Sequence, residues 1–283
     1  MTLTDIRRWA RRVASWVMPH GIMLLRWRLI AEARARDLRA RRATLPQLGV
    51  RSHEYSYEAA VSFLSSLGMD DAQVYEGSIP EASLGFCCSF LPSERQPLPL
   101  LGLQLGTFVG VSLAHLANRL REINSESRLV GIDPNVPHRG VVDPQAIVIR
   151  LLDQFGLQGN VVLLTGYSLE KNPSNDTFEF AGYDPVARFA EETSCEGQLP
   201  ALSLLAQERF DLVLLDGNHD AAYLRRELAL LGRLVKPGGL IFLDDVTEAW
   251  VDIQRAYWTL DEHDFERLGH DGRVGVLRRP LAR

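Results

Sequence analysis

Cysteine is scarce in this chain of 283 residues, which contains only three, Cys87, Cys88 and Cys195. Two adjacent cysteines and a distant third do not make a disulfide framework, and their spacing fits no zinc site. We therefore expect reduced cysteines with a packing role, and a cytoplasmic protein.

Long apolar runs are also missing from the sequence. No segment reaches the roughly 20 apolar residues that a membrane-spanning helix needs. The basic first segment is not followed by the apolar core of a secretory signal. The net charge of −5 hides an asymmetry, because residues 1–45 contain 11 arginines and 3 acidic residues and the rest of the chain is acidic.

The arginine-rich start of the chain has a helical pattern. Residues 4–18 place apolar side chains, including Trp9 and Trp16, on one side of a helix, with arginines flanking that side. We favour packing on the main domain or on a second subunit, which leaves a homo-oligomer open. The alternative is peripheral contact of residues 1–45 with an anionic membrane at its inner face. Nucleic acid is disfavoured as a partner, because the remaining residues are acidic.

The stretch Leu100–Ser112 predicts a buried strand, a glycine turn and a helix start. Gly106 and Gly110 let the backbone pass close to a ligand, and the helix start offers free N–H groups. The stretch lacks the Gly-x-Gly-x-x-Gly pattern of dinucleotide-binding oxidoreductases and the Lys-Ser/Thr ending of a phosphate loop. A glycine turn alone is equally consistent with a purely structural connection.

Strand and helix patterns alternate from this point onwards. Pattern and turn residues predict a helix over Tyr57–Leu67 and an insertion at 171–198, whereas Val74–Phe90 is mixed, with Gly77, Pro80 and Gly85 favouring loops. The predicted later strands are Arg128–Asp133, Asn160–Thr165, Phe210–Asp216 and Leu240–Asp245, with a closing antiparallel pair over Phe265–Leu268 and Arg273–Arg278. The predicted later helices are Gln145–Phe155, Ala221–Val235 and Thr247–Leu260. The segment Lys236–Gly239 would stop the second of them.

This alternation predicts an α/β fold with a Rossmann-like, doubly wound, mostly parallel sheet and an antiparallel C-terminal strand pair. Residues 1–50 would form a basic helical extension and linker, and residues 51–283 the main domain. Ligands bind beyond the carboxyl ends of strands in such sheets. Five predicted strand ends carry glycine or a carboxylate: Gly106, Asp133, Gly166, Asp216 and Asp244.

From about Leu100 to Arg279 the sequence resembles class I S-adenosylmethionine-dependent methyltransferases. The resemblance rests on Gly106–Ser112, the strand-end Asp133, Gly166–Ser168, Asp216–His219, and Lys236–Gly239 before Asp244 and Asp245. The last three pieces resemble the metal-dependent branch of O-methyltransferases that act on sugars and macrolides.

The resemblance implies a set of cofactor-binding residues. Gly106, Thr107 and Gly110 would border the methionine part of S-adenosylmethionine, with Ser112 close by. Asp133 would accept hydrogen bonds from the ribose hydroxyls, and Gly166 and Ser168 would lie by the adenine. Asp216 would also border the cofactor. Gln104 stands where family members often have glutamate, which predicts weaker cofactor binding.

The resemblance also implies a metal and a base. Asp216, Asp244 and Asp245 match metal-ligand positions, and hard oxygen ligands suit Mg²⁺. A bound cation would lower the pKa of an acceptor hydroxyl, and His219 would take the proton, with Asp216 beside it in the catalytic centre. Alternatively, Asp244 and Asp245 cap the next helix and His219 bonds the backbone. Three aromatic side chains would line an acceptor pocket or belong to the core: Trp250, Tyr257 and Trp258.

The sequence therefore predicts an S-adenosylmethionine-dependent O-methyltransferase, assisted by a divalent metal, that acts on a hydroxyl of a glycan or natural product. Two alternatives stay open. One is an N-methyltransferase that needs no metal. The other is a non-enzymatic partner-binding protein that retains the fold.

Overall fold

The computed structural model describes residues 54–136, 138–169, 197–205 and 209–281. The predicted extension at 1–50 and most of the predicted insertion lie outside the described residues, so the division into two parts stays a prediction. The described helices are α1 (Tyr57–Ser66), α2 (Asp71–Glu76), α3 (Glu81–Ser89), α4 (Val111–Ile123), α5 (Pro144–Gln154), α6 (Gln198–Leu205), α7 (Ala221–Leu234) and α8 (Val251–Trp258).

Within the described residues, seven strands form one sheet in the order β3-β2-β1-β4-β5-β7-β6. Their bounds are β1 (Leu101–Leu105), β2 (Arg128–Asp133), β3 (Val161–Thr165), β4 (Phe210–Leu215), β5 (Val235–Leu243), β6 (Glu266–His270) and β7 (Gly275–Arg278). The first five strands pair in parallel, and β7 pairs antiparallel with both β5 and β6. The predicted fold class and the predicted closing strand pair are confirmed.

Alternate residues of each central strand face opposite layers of helices. In β4, Leu212 and Leu214 pack with α1, α4 and α5, whereas Val213 and Leu215 pack with α7 and α8. Because both faces of the sheet are covered, these strands read as near-continuous apolar runs, such as Leu212–Leu215 in β4. The chain order reverses between β1 and β4, which opens a crevice at the carboxyl ends of these strands.

The prediction of loops over Val74–Phe90 is wrong, since α2 and α3 occupy most of this segment. Gly77 ends α2 and Pro80 precedes α3, so both residues act at helix boundaries. Gly85 lies inside α3, where Leu84 and Cys87 are fully buried. Their burial offsets the roughly 1 kcal/mol that a glycine costs inside a helix.

Two further boundaries differ from the prediction. Helix α7 ends at Leu234, and Lys236–Gly239 already belongs to β5, where Gly238 donates to the Arg279 carbonyl at 2.8 Å. The pairing of this segment with the C-terminal residues makes it strand. The predicted helix over Thr247–Leu260 is a 3₁₀ turn at Glu248–Trp250 followed by α8.

Among the described residues, no helix is both long enough and apolar enough to cross a membrane.

Candidate functional site

A cavity of about 440 Å³ lies at the carboxyl ends of the parallel strands. Its volume is within the usual range of small-molecule sites. Seven of the predicted site residues line it: Gly106, Asp133, Gly166, Ser168, Asp216, His219 and Asp245. Four others do not: Thr107, Gly110, Ser112 and Asp244.

The strand ends meet because the sheet hydrogen bonding continues past the strands. Gly106 donates to the Ile132 carbonyl at 2.8 Å, Asp216 to the Leu105 carbonyl at 2.9 Å, and Asp244 to the Leu215 carbonyl at 3.0 Å. These bonds bring the glycine turn and the two carboxylates side by side. The expectation that residues far apart in the sequence share one sheet edge is confirmed.

Gly106 is required by both its conformation and its surroundings. Its φ is 80°, and an added Cβ would lie 1.9 Å from the carbonyl oxygen of Asp216. Gly110 also has a positive φ, 88°, and begins α4 against Val148. Ser112 is buried in the first turn of α4, so α4 starts behind the turn and away from the cavity lining.

The Asp133 carboxylate holds the glycine turn. Its Oδ2 accepts from the backbone N–H groups of Thr107 at 2.8 Å and Phe108 at 3.1 Å, and its Oδ1 accepts from Asn135 at 2.8 Å. A carboxylate has about four acceptor positions, so about one is left for a ribose hydroxyl. The ribose contact stays a prediction, and the structural role of Asp133 is one that the sequence did not indicate.

Gln104 is fully buried behind the same turn. Its Nε2 donates to the Gly106 carbonyl at 2.9 Å, and its Oε1 is buried without a hydrogen-bond partner. A glutamate at this position would lack that N–H donor. The glutamine therefore fixes the turn, at the energetic cost of one unsatisfied acceptor.

Two residues that the sequence did not single out support Ser168. Its hydroxyl donates to the Glu227 carboxyl and lies 3.2 Å from the Tyr223 hydroxyl, which accepts from the Leu169 N–H at 3.0 Å. Burial raises the pKa of Glu227 to about 8, although the bond from Ser168 opposes that shift. A glutamate on the apolar face of α7, next to Leu228, is the sequence signal that identifies this cluster.

Asp244 is paired with Arg273, which the sequence did not indicate as a site residue. Arg273 Nε donates to Oδ1 and Nη2 donates to Oδ2, both at 2.8 Å. The Asp244 side chain is almost completely buried, with 1% exposed. This two-point geometry is the strong form of an arginine–carboxylate pair.

Asp245 faces the cavity and is paired with His219. The φ of Asp245 is 57°, in the left-handed region, and its Oδ1 lies 3.6 Å from the same Arg273 Nη2 that binds Asp244. His219 Nε2 lies 2.6 Å from Asp245 Oδ2, while Nδ1 is buried. Neither aspartate caps the 3₁₀ turn or helix that follows, which removes the capping alternative.

The imidazole of His219 stacks on the indole of Trp250, with ring centroids 4.3 Å apart and planes 15° from parallel. Trp250 lines the cavity, as one alternative predicted. Tyr257 belongs to the core, and Trp258 is half exposed at the surface. Trp250 therefore fits the pocket interpretation and Tyr257 the core interpretation, whereas Trp258 fits neither.

The carboxylates at the site titrate differently. Desolvation, and then the negative charges of Asp244 and Asp245, raise the pKa of Asp216 well above its usual range. Burial alone would raise the pKa of Asp245, but the bond from His219 and the positive charges nearby lower it. Among Asp216, Asp244 and Asp245, Asp245 is the carboxylate whose pKa is lowered.

The residues expected to hold Mg²⁺ come together in an arrangement that does not fit the ion. Both oxygens of Asp244 accept from Arg273, and one oxygen of Asp245 is paired with His219. Mg²⁺ requires oxygen ligands at about 2.0–2.1 Å in near-octahedral geometry. Among the parts of the chain that the structure describes, no group of three metal-ligating side chains is placed to hold an ion.

Comparison of the chain with models of known protein families gives one match. A family model described as a methyltransferase domain matches residues 103–246, slightly more than half of the chain. No protein of curated function matches the sequence.

Solved structures share the fold. A protein from Corynebacterium glutamicum has a TM-score of 0.51 at 15% identity, over 80% of this chain and 91% of its own. A methyltransferase from Podospora anserina, solved with bound S-adenosylhomocysteine (SAH), has a TM-score of 0.51 at 15% identity. The match covers 88% of this chain and 95% of that protein. A methyltransferase from Geobacter sulfurreducens has a TM-score of 0.50 at 14% identity, and the match covers 88% of this chain and 96% of that protein. At these identities the likeness shows the fold alone.

Proposed function

This chain belongs to the methyltransferase-domain family, and we propose that it transfers the methyl group of S-adenosylmethionine to a hydroxyl oxygen of a small-molecule acceptor, a glycan or natural product. One observation carries the proposal: the glycine turn with Asp133 and the His219–Asp245 pair line the same cavity. The first set suits a nucleoside-containing cofactor, and the second suits removal of a proton.

The residues on the β1–β3 side support cofactor binding. Gly106 brings backbone to the cavity without a side chain in the way, and Asp133 keeps the turn in place and retains an acceptor position. Ser168 and Tyr223 line the region beyond β3. When bound, the cofactor supplies an electrophilic methyl group on a sulfonium sulfur.

The residues on the β4–β5 side support O-methylation, because a hydroxyl must lose its proton as the oxygen bonds to the methyl carbon. The Asp245–His219 pair takes that proton as a unit, since Asp245 Oδ2 and His219 Nε2 lie 2.6 Å apart. The carboxylate presents an oxygen to the cavity, and the imidazole holds it in position while stacked on Trp250. His219 thus acts through Asp245, whereas the sequence predicted that it would take the proton itself.

Calorimetry with S-adenosylhomocysteine (SAH) tests the cofactor half of the proposal. We expect micromolar binding to the wild type and loss of binding in Asp133→Ala. Asp252→Asn, which removes an acidic charge from an exposed ion pair on α8, should bind like the wild type. Absence of SAH binding by the folded wild type would favour the partner-binding alternative.

Methyl transfer to a panel of hydroxyl- and amine-bearing acceptors, followed by mass spectrometry, tests the chemistry. His219→Asn should lower kcat by about 100-fold or more, the usual contribution of a positioned acid–base group, with SAH affinity within about twofold of the wild type. Methylation of amines alone would contradict O-methylation and support the N-methyltransferase alternative.

A further inference from the structure

We propose that Arg273 is the resident cation of this site, taking the place beside Asp244 and Asp245 that the sequence predicts for Mg²⁺, and that the wild-type chain binds no divalent ion there. The metal part of this proposal is independent of the proposed function. Only the role of Arg273 toward the acceptor depends on it.

The geometry of the pair carries the first step. Two N–H groups of the guanidinium reach the two oxygens of Asp244 at 2.8 Å, and Nη2 lies 3.6 Å from Asp245 Oδ1. The oxygens that would ligate a metal are therefore engaged by a positive group. An incoming divalent ion would have to break both bonds and then lie beside a displaced positive charge.

The backbone around Arg273 fixes it in this position. Arg273 follows β6 in a tight turn, in which the Asp271 carboxylate accepts from the N–H groups of Arg273 at 2.8 Å and Val274 at 2.7 Å. The Arg273 carbonyl accepts from Val246 at 2.8 Å, which joins this turn to the segment just after Asp245. The arginine is thus tied to the acidic strand end through its backbone as well as its side chain.

The charge balance of the site is consistent with this assignment. Arg273 compensates Asp244, and His219 pairs with Asp245. Asp244 and Asp245 therefore have their partners within the chain itself and do not need an ion to satisfy them.

Arg273 also borders the place where an acceptor would bind. Its side chain lines the cavity and is 31% exposed, and its Nη1 makes no hydrogen bond to a described residue. A guanidinium offers five N–H donors in a rigid plane, so donors remain for an acceptor oxygen. Arg273 would then polarise the hydroxyl as a bound cation does, without an open coordination position.

Electron paramagnetic resonance of Mn²⁺, used as the probe ion, tests the proposal on full-length protein without acceptor. The wild type should leave the signal of free Mn²⁺ unchanged. Arg273→Gln removes the guanidinium and exposes the carboxylates, so its affinity for Mn²⁺ should rise by at least about tenfold. Arg278→Gln is the matched control, because it breaks the ion pair with Glu266 on the neighbouring strands and leaves the acidic cluster intact.

Thermal unfolding with and without Mn²⁺ gives a second readout. Arg273→Gln leaves the Asp244 carboxylate buried without its partner, so we expect a lower Tm that Mn²⁺ partly restores. Arg273→Lys keeps the positive charge and should gain no metal binding. A folded Arg273→Gln protein with unchanged Mn²⁺ affinity would overturn the proposal.

If Arg273→Gln does not fold, the wild type decides the question. Binding of Mn²⁺ by the wild type that disappears in Asp244→Asn would establish a metal site and refute the assignment of Arg273. If neither the wild type nor Arg273→Lys binds Mn²⁺, the assignment of Arg273 is supported. Neither result depends on SAH binding or turnover, so a failure of the proposed function would be seen separately.

Discussion

Replacement of Glu227 by glutamine is expected to remove a pH dependence from the stability of this protein. Glu227 is 2% exposed and lies under the cavity, hydrogen-bonded to Ser168. Because burial disfavours its charged form, its pKa in the folded protein is raised from 4.5 to about 8. The folded state therefore keeps a proton over a pH range in which the unfolded chain has lost it.

The sign follows from proton linkage. Between pH 4.5 and 8 the folded state binds more protons at this site than the unfolded state, so the free energy of unfolding falls as the pH rises. The favourable contribution is fully present below pH 4.5 and is lost once the pH exceeds about 8. The slope is about 1.4 kcal/mol per pH unit, and the total is about 5 kcal/mol, a large part of the stability of a domain.

Urea unfolding at several values between pH 5 and pH 9 would measure this effect. Glu227→Gln has nearly the same shape and no titrating group, so its excess stability over the wild type should grow with pH. Glu122→Gln, at an exposed glutamate on α4, serves as the control and should follow the wild type. Parallel stability profiles of Glu227→Gln and the wild type would refute the reasoning, because they would mean that Glu227 ionises alike in both states.

Two glycine substitutions test the packing that shapes the site. Gly106→Ala should abolish SAH binding in calorimetry and lower the free energy of unfolding by more than about 2 kcal/mol. The reason is that the added Cβ would lie 1.9 Å from the Asp216 carbonyl oxygen, at a residue in the left-handed conformation. A variant that binds SAH like the wild type would contradict this prediction. Gly275→Ala should cost about 1–3 kcal/mol in urea unfolding, since its Cβ would lie 2.4 Å from the Tyr257 ring, and an unchanged midpoint would show that the ring moves aside freely.

The sequence was most informative about the elements that depend on local pattern. Runs such as Leu212–Leu215 are apolar without interruption, because both faces of a parallel sheet are covered, and this distinguishes them from surface strands. Glycine and carboxylate residues at the ends of such runs predicted where a ligand would bind. The family match over residues 103–246 confirms the class of enzyme, a methyltransferase.

Local pattern was less reliable where long-range pairing competes with local preference. Lys236–Gly239 has the composition of a turn, yet it is strand, because Gly238 and Gly239 bond to Arg279. Gly85 argued for a loop, yet it lies in a helix that buried neighbours stabilise. In both cases the energy that decides the structure comes from residues outside the local segment.

The amino-acid sequence by itself determined the order of the strands along the chain, the carboxyl-edge position of the candidate site and the carboxylates that it contains, because each of these follows from spacing along the chain. Only the tertiary structure decided which charge faces which. Arg273 is 28 residues beyond Asp245, on another strand connection, and nothing in their spacing indicates that the hairpin places the guanidinium on Asp244. The counter-charge of a buried carboxylate depends on packing in three dimensions. The Arg273–Asp244 pair is therefore the feature by which the structure distinguishes a site neutralised by arginine from a site that would hold a metal ion.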